Sequence, residues 1–122
     1  MLDHLGIQNR DVFASAAFYD AVLAPLTARR LPEFCDVIGY GVDRPDFWLS
    51  PMTPPGEAHE AHIAFTAPNR AAVGAFHDAA VAAGAEVLQA PRVWPEYHPT
   101  QIGAFVRDPD GNNVEAVCHA PE

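Results

Sequence analysis

Two histidines and one glutamate are the residues best placed to do chemistry. His4 opens the run His4-Leu5-Gly6-Ile7 and His62 opens His62-Ile63-Ala64-Phe65, so imidazole, apolar, small and apolar residues follow one another twice, 58 positions apart. Glu115 stands in Val114-Glu115-Ala116-Val117-Cys118, an otherwise apolar run. An ionised carboxylate buried in such a strand is costly unless a cation, a metal or several donors compensate it. Two imidazoles and a carboxylate meeting in a partly apolar cavity make a divalent-metal site with open positions. His4, His62 and Glu115 are therefore the expected ligands. Zn, Ni, Mn and Fe all suit that set. A lone strand histidine is more often a surface or hydrogen-bonded residue than a ligand; the recurrence at equivalent positions argues for ligation here.

The elements that must position these residues can be read along the chain. Leu2 to Gln8 reads as a strand with Leu2, His4, Gly6 and Gln8 on one face. An amphipathic helix follows over about Asp11 to Leu23, with Asp11 as N-cap. Thr27 to Glu33, Asp36 to Val42 and Phe47 to Ser50 are short strand-like runs. The Pro51-Met52-Thr53-Pro54-Pro55-Gly56 segment then breaks all regular structure.

After it the order restarts. A strand over about Glu60 to Thr66 leads to a helix entered at Pro68-Asn69 and stopped by Gly84, then a strand over Val87 to Val93. Ile102 to Arg107 and Asn113 to Val117 form a hairpin about Asp108-Pro109-Asp110-Gly111, where proline presets one corner and glycine accepts a positive φ. At the offset of 58, Phe18 falls on Phe76, Asp20 on Asp78 and Ala21 on Ala79, besides the histidine runs. The pattern is that of an internal duplication. Module 1 covers about residues 1–50, a linker 51–59 and module 2 about 60–119. By order, the counterpart of the Glu115 strand is Phe47-Trp48-Leu49. Pairing of the modules about a pseudo-twofold axis would bring His4 to His62.

Composition narrows the function. The chain has 122 residues, a formal net charge of -9, and seven basic residues, all arginines, spread from Arg10 to Arg107 with only Arg29 and Arg30 adjacent. That is no footprint for a nucleic-acid backbone or an anionic membrane. Cys35 and Cys118 lack metal or redox spacing and read as free thiols. No basic leader or transmembrane-length apolar run is present, so a cytoplasmic protein is expected. Among the other histidines, His98 precedes the hairpin and can line the cavity as a catalytic base beside Glu115. Tyr40, Trp48 and Gln101 are the expected substrate-cavity residues, and Trp94 a further wall.

These motifs resemble the vicinal oxygen chelate superfamily of glyoxalase I, extradiol dioxygenases, and fosfomycin- and bleomycin-resistance proteins. The resemblance spans the chain through Asp-His-Leu-Gly-Ile at 3–7, Ala-Phe-Tyr-Asp at 17–20, His-Ile-Ala-Phe at 62–65 and the run from Ala104 to Val117. It implies an α+β fold of two paired βαβββ modules forming a curved mixed eight-stranded sheet around a metal cavity, with helices outside. It also implies His4, His62 and Glu115 as ligands, and a homodimer, in some members with cavities completed by the partner chain. Where glyoxalase I carries a second carboxylate ligand, on the last strand of the first module, this sequence has Trp48.

Three functions follow as expectations. The first is a glyoxalase-like lyase or isomerase acting on a small oxygen-chelating substrate through a divalent metal. The second is an Fe(II) extradiol-type dioxygenase, and the third a non-catalytic small-molecule-binding protein of the resistance type.

Overall fold

The structure, a computed structural model, describes residues 1–31, 36–52, 56, 59–95 and 100–119. Its first half runs β1 (Leu5–Asn9), α1 (Val12–Leu23), a 3-10 turn (Ala24–Leu26), β2 (Arg29–Arg30), β3 (Ile38–Gly41) and β4 (Pro45–Pro51). Its second half runs β5 (His62–Thr66), α2 (Arg70–Ala82), β6 (Val87–Val93), β7 (Ile102–Arg107) and β8 (Asn113–Cys118). This is βαβββ twice, an α+β fold.

Local chemistry sets the element limits. Asp11 caps α1, its Oδ1 accepting from the amides of Phe13 and Ala14, each at 3.1 Å. Asn69 caps α2 through Ala72, 2.8 Å away. Past α2, Gly84 takes a φ of +81, the left-handed conformation that lets the chain turn without a Cβ penalty. β1 begins later than expected, so His4 stands just before it, outside the strand ladder.

The eight strands form two four-stranded sheets, β1-β4-β3-β2 and β5-β8-β7-β6, each mixed, with its first and last strands parallel. No ladder joins the two sheets among the described residues. Register confirms the duplication beyond the helices. Gly6 pairs with Trp48 on β4, and its repeat counterpart Ala64 pairs with Glu115 on β8. Trp48 therefore occupies the position in module 1 that Glu115 occupies in module 2.

The core lies on the helix side of both sheets. Leu23, Ile38, Leu49, Val73, Phe76 and Val106 are buried there. The modules meet through the packing of α1 on α2 and of α2 on the 3-10 turn. Phe47 of β4 and Phe65 of β5 complete the contact edge to face, their ring centroids 5.1 Å apart. The helix-averted faces, bearing Gly6 and Gln8 on β1 and His62, Ala64 and Thr66 on β5, are left open.

The β7–β8 turn joins the modules by polar contacts. Asp108 Oδ1 accepts from the amides of Asp110 and Asn112, and its Oδ2 accepts from the Asn112 side chain and from Tyr19 of α1, at 2.6 Å. Asp110 bonds module 1 instead, accepting from Asn9 Nδ2, Ser15 Oγ and the Arg10 amide.

Candidate metal centre

His62 and Glu115 come together. They stand on the neighbouring parallel strands β5 and β8, and His62 Nε2 lies 3.0 Å from Glu115 Oε2. The two differ in exposure: the imidazole is 55% exposed, whereas the carboxylate side chain is 7% exposed. The carboxylate is buried and its imidazole partner is open to solvent, so the pair can be approached from one side.

The separation suits a metal. Two ligands about 2.1 Å from one ion and at right angles stand about 3.0 Å apart, which is the spacing found here. A second observation points the same way. Asn113 is the register partner of His62, and its buried carboxamide oxygen has no hydrogen-bond partner among the described residues. Imidazole and carboxylate oxygen are together a donor set for Zn, Ni, Mn or Fe. As far as these two residues go, the group fits.

The third expected ligand is His4. It stands just before β1, its Nδ1 2.7 Å from Asp3 Oδ1 and its side chain 62% exposed, and with Asp3 and Leu5 it lines a cleft shared with Ile63, Ala64 and Thr66 of β5. The His4 ring beside Asp3, helped by Arg44, holds that carboxyl below the usual carboxylate range. No three His, Cys, Asp or Glu side chains gather to hold a metal among the described residues. Among the described residues His4 does not join His62 and Glu115 in such a cluster.

Of the expected cavity residues, Trp48 takes the open side of its sheet. A Cβ on Gly39, its partner on β3, would lie 2.8 Å from the Trp48 ring, so the indole lies over a glycine that has to be one. Tyr40 does not reach that side. Alternation along β3 turns it to the helices, where it is 1% exposed, and its hydroxyl donates to Asp20 Oδ1 at 2.8 Å and contacts the Ala16 carbonyl at 3.1 Å. Gln101 sits half-buried before β7, its carbonyl accepting from the Trp94 amide at 2.8 Å. His98 lies outside the described residues.

The sequence reading missed Phe105. It pairs with Glu115 across the β7–β8 ladder, and its ring centroid is 5.9 Å from that of His62. The signal was available: once the tight turn fixes the register of the hairpin, Phe105 must stand opposite Glu115.

The chain was compared with known proteins. The family model described as glyoxalase/bleomycin resistance protein/dioxygenase superfamily matches residues 1–116. No curated protein matches. Among solved structures, a glyoxalase/bleomycin resistance protein from Albidiferax ferrireducens superposes with a TM-score of 0.85 at 24% identity, over 95% of this chain and 97% of that one. Lactoylglutathione lyase from Agrobacterium tumefaciens gives 0.72 at 20% identity, over 97% and 92%. The genomically encoded fosfomycin resistance protein of Listeria monocytogenes gives 0.71 at 16% identity, over 98% and 93%. At these identities the structural likeness is one of fold. The family model carries the assignment: the chain belongs to the glyoxalase/bleomycin resistance protein/dioxygenase superfamily, the vicinal oxygen chelate proteins that its histidine and hairpin motifs resemble.

Proposed function

We propose that this protein is a divalent-metal-dependent enzyme of the glyoxalase-like lyase or isomerase type, acting on a small oxygen-chelating substrate. The carrying observation is the His62–Glu115 pair, 3.0 Å apart on an open sheet face with the carboxylate buried. The bound ion would supply Lewis-acid stabilisation of a developing enolate or oxyanion. Glu115 and His62 hold their donor atoms at fixed spacing from two hydrogen-bonded strands, so little order is lost when they ligate. Glu115, buried at the foot of the site, sets the charge there. His98 is the candidate base, from its place in the sequence before β7.

The third ligand is His4 of a second copy. Each chain leaves open one face near His4 and another at His62 and Glu115, and a twofold axis placing the first on the partner's second forms two equivalent sites. The apolar Leu2, Leu5 and Val42, all exposed in the single chain, would be covered by that pairing.

Hybrid dimers test this reading. His4→Ala and Glu115→Gln should each abolish metal binding alone. Mixed in equal amounts after dissociation, they should recover about a quarter of the wild-type metal, because half of the dimers are hybrids with one intact site of two. Zero recovery, with both variants folded, would place the site within one chain or nowhere.

One observation favours a second reading. With Trp48 at the position that mirrors Glu115, the set is two histidines and one carboxylate, which suits Fe(II) and leaves positions for substrate and dioxygen. Iron as the metal recovered, with oxygen consumed on catechols, would favour an extradiol-type dioxygenase over the lyase or isomerase.

A further inference from the structure

The wall beside the candidate ligands is aromatic, and its parts are fitted to one another. Phe105 stands directly across the ladder from Glu115 and is half-buried. Trp94 meets Phe105 edge to face, with centroids 5.4 Å apart at 79°. The Trp94 indole is fixed twice: its Nε1 donates to the Gly103 carbonyl at 3.3 Å, and the Arg92 guanidinium stacks on the ring 3.4 Å from its centroid.

Gly103 explains how the rings and the carboxylate share one place. A Cβ there would stand 3.1 Å from Glu115 Oε1 and 3.6 Å from Trp94 Cδ1. The carboxylate and the indole edge therefore converge on the space that this glycine leaves free. His62, Phe105 and Trp94 then form a run of rings beside Glu115.

Module 1 makes the contrast. There the cell opposite Trp48 is Gly39, whereas the cell opposite Glu115 is Phe105. The duplicated sheet has thus placed a ring beside the candidate ligand in module 2 alone. A molecule with an oxygen near the His62–Glu115 pair has Phe105 and Trp94 as neighbours for its remaining atoms. Flat rings gain there from edge-to-face or offset contact, which a short aliphatic chain lacks.

We infer that the substrate carries an aryl or other planar conjugated group next to its chelating oxygens, and that Phe105 and Trp94 are the residues selecting it. This rests on the metal reading above. The test compares benzohydroxamate with acetohydroxamate, two chelators that differ in ring against methyl, by calorimetric titration of the metal-loaded protein. Wild type should bind the aryl probe roughly tenfold more tightly. Phe105→Leu and Trp94→Leu, titrated at equal metal occupancy, should cut the preference to about twofold.

Equal affinity of the two probes for wild type overturns the inference without any variant being needed, and so does a preference that survives in both variants. If the protein takes up no metal, the metal reading fails by itself. Benzamide quenching tryptophan fluorescence where acetamide does not would then still support the aromatic wall, and no difference between those two would overturn it.

Discussion

Tyr19 and Tyr40 show how the role of a side chain depends on the face its strand or helix turns it to. Both are buried, at 0% and 1% exposure, and both donate to a carboxylate, Asp108 and Asp20 respectively. Burial first, then those carboxylates, push both hydroxyls well above the ordinary tyrosine range. Each folded-state pKa is thus raised above the unfolded value of about 10. The stabilisation is fully present below about pH 10 and is lost as pH rises from there toward the folded values, at about 1.4 kcal/mol per pH unit for each tyrosine. The chain has no lysine to confuse this limb. Denaturant unfolding between pH 9 and 11 should show the decline. Tyr19→Phe should lower stability at pH 7 by about 2 kcal/mol, the range for a buried hydrogen bond to a charged group, while flattening the alkaline slope. An unchanged slope would mean that Tyr19 ionises in the folded protein as easily as in the unfolded one.

At the scale of elements, the turn between β7 and β8 does more than reverse the chain. Proline and glycine chemistry predicts the turn, and Gly111 has the expected positive φ, +89. Asp108 bonds the turn amides of Asp110 and Asn112. Asp110 does not: it reaches across to Asn9, Arg10 and Ser15 of module 1, of which Asn9 and Ser15 are fully buried. Asp110→Ala would strand those donors, so a loss of about 3 kcal/mol is expected in chemical denaturation, with the β7–β8 hairpin itself retained. A loss under about 0.5 kcal/mol would reduce Asp110 to an ordinary surface turn residue. Both helices start at the caps read from sequence, because a cap is satisfied within three residues. β1 starts late because its pairing partner is β4, and that ladder begins only at Leu5 opposite Phe47.

At the scale of the molecule, duplication has produced two sheets that share a plan but not a chemistry: Glu115 faces outward on one, and Trp48 over Gly39 on the other. No helix among the described residues is long and apolar enough to cross a membrane. In the shared-site arrangement proposed above, the exposed Leu2 and Leu5, beside the edge strand β1, would be covered by the second copy. Replacing both with aspartate should shift the protein to a monomer in sedimentation velocity and abolish metal binding, with the secondary structure unchanged. A double variant that stays dimeric, or that keeps its metal as a monomer, would sink the shared-site arrangement.

What the sequence determined by itself is what lies within reach of a few residues. Helix caps, the hairpin turn, the alternation that places Glu115 in an apolar strand, and the recurrence of the histidine runs are all local, and backbone sterics and hydrogen bonding decide them over short spans. The parallel β5–β8 ladder of the folded chain is what sets His62 beside Glu115. Only the tertiary structure decided that Tyr40 belongs to the core and that Asp110 ties one module to the other. These depend on which face each module buries against its twin. That choice is the sum of many weak contacts among α1, α2, Phe47 and Phe65, and no short motif encodes it.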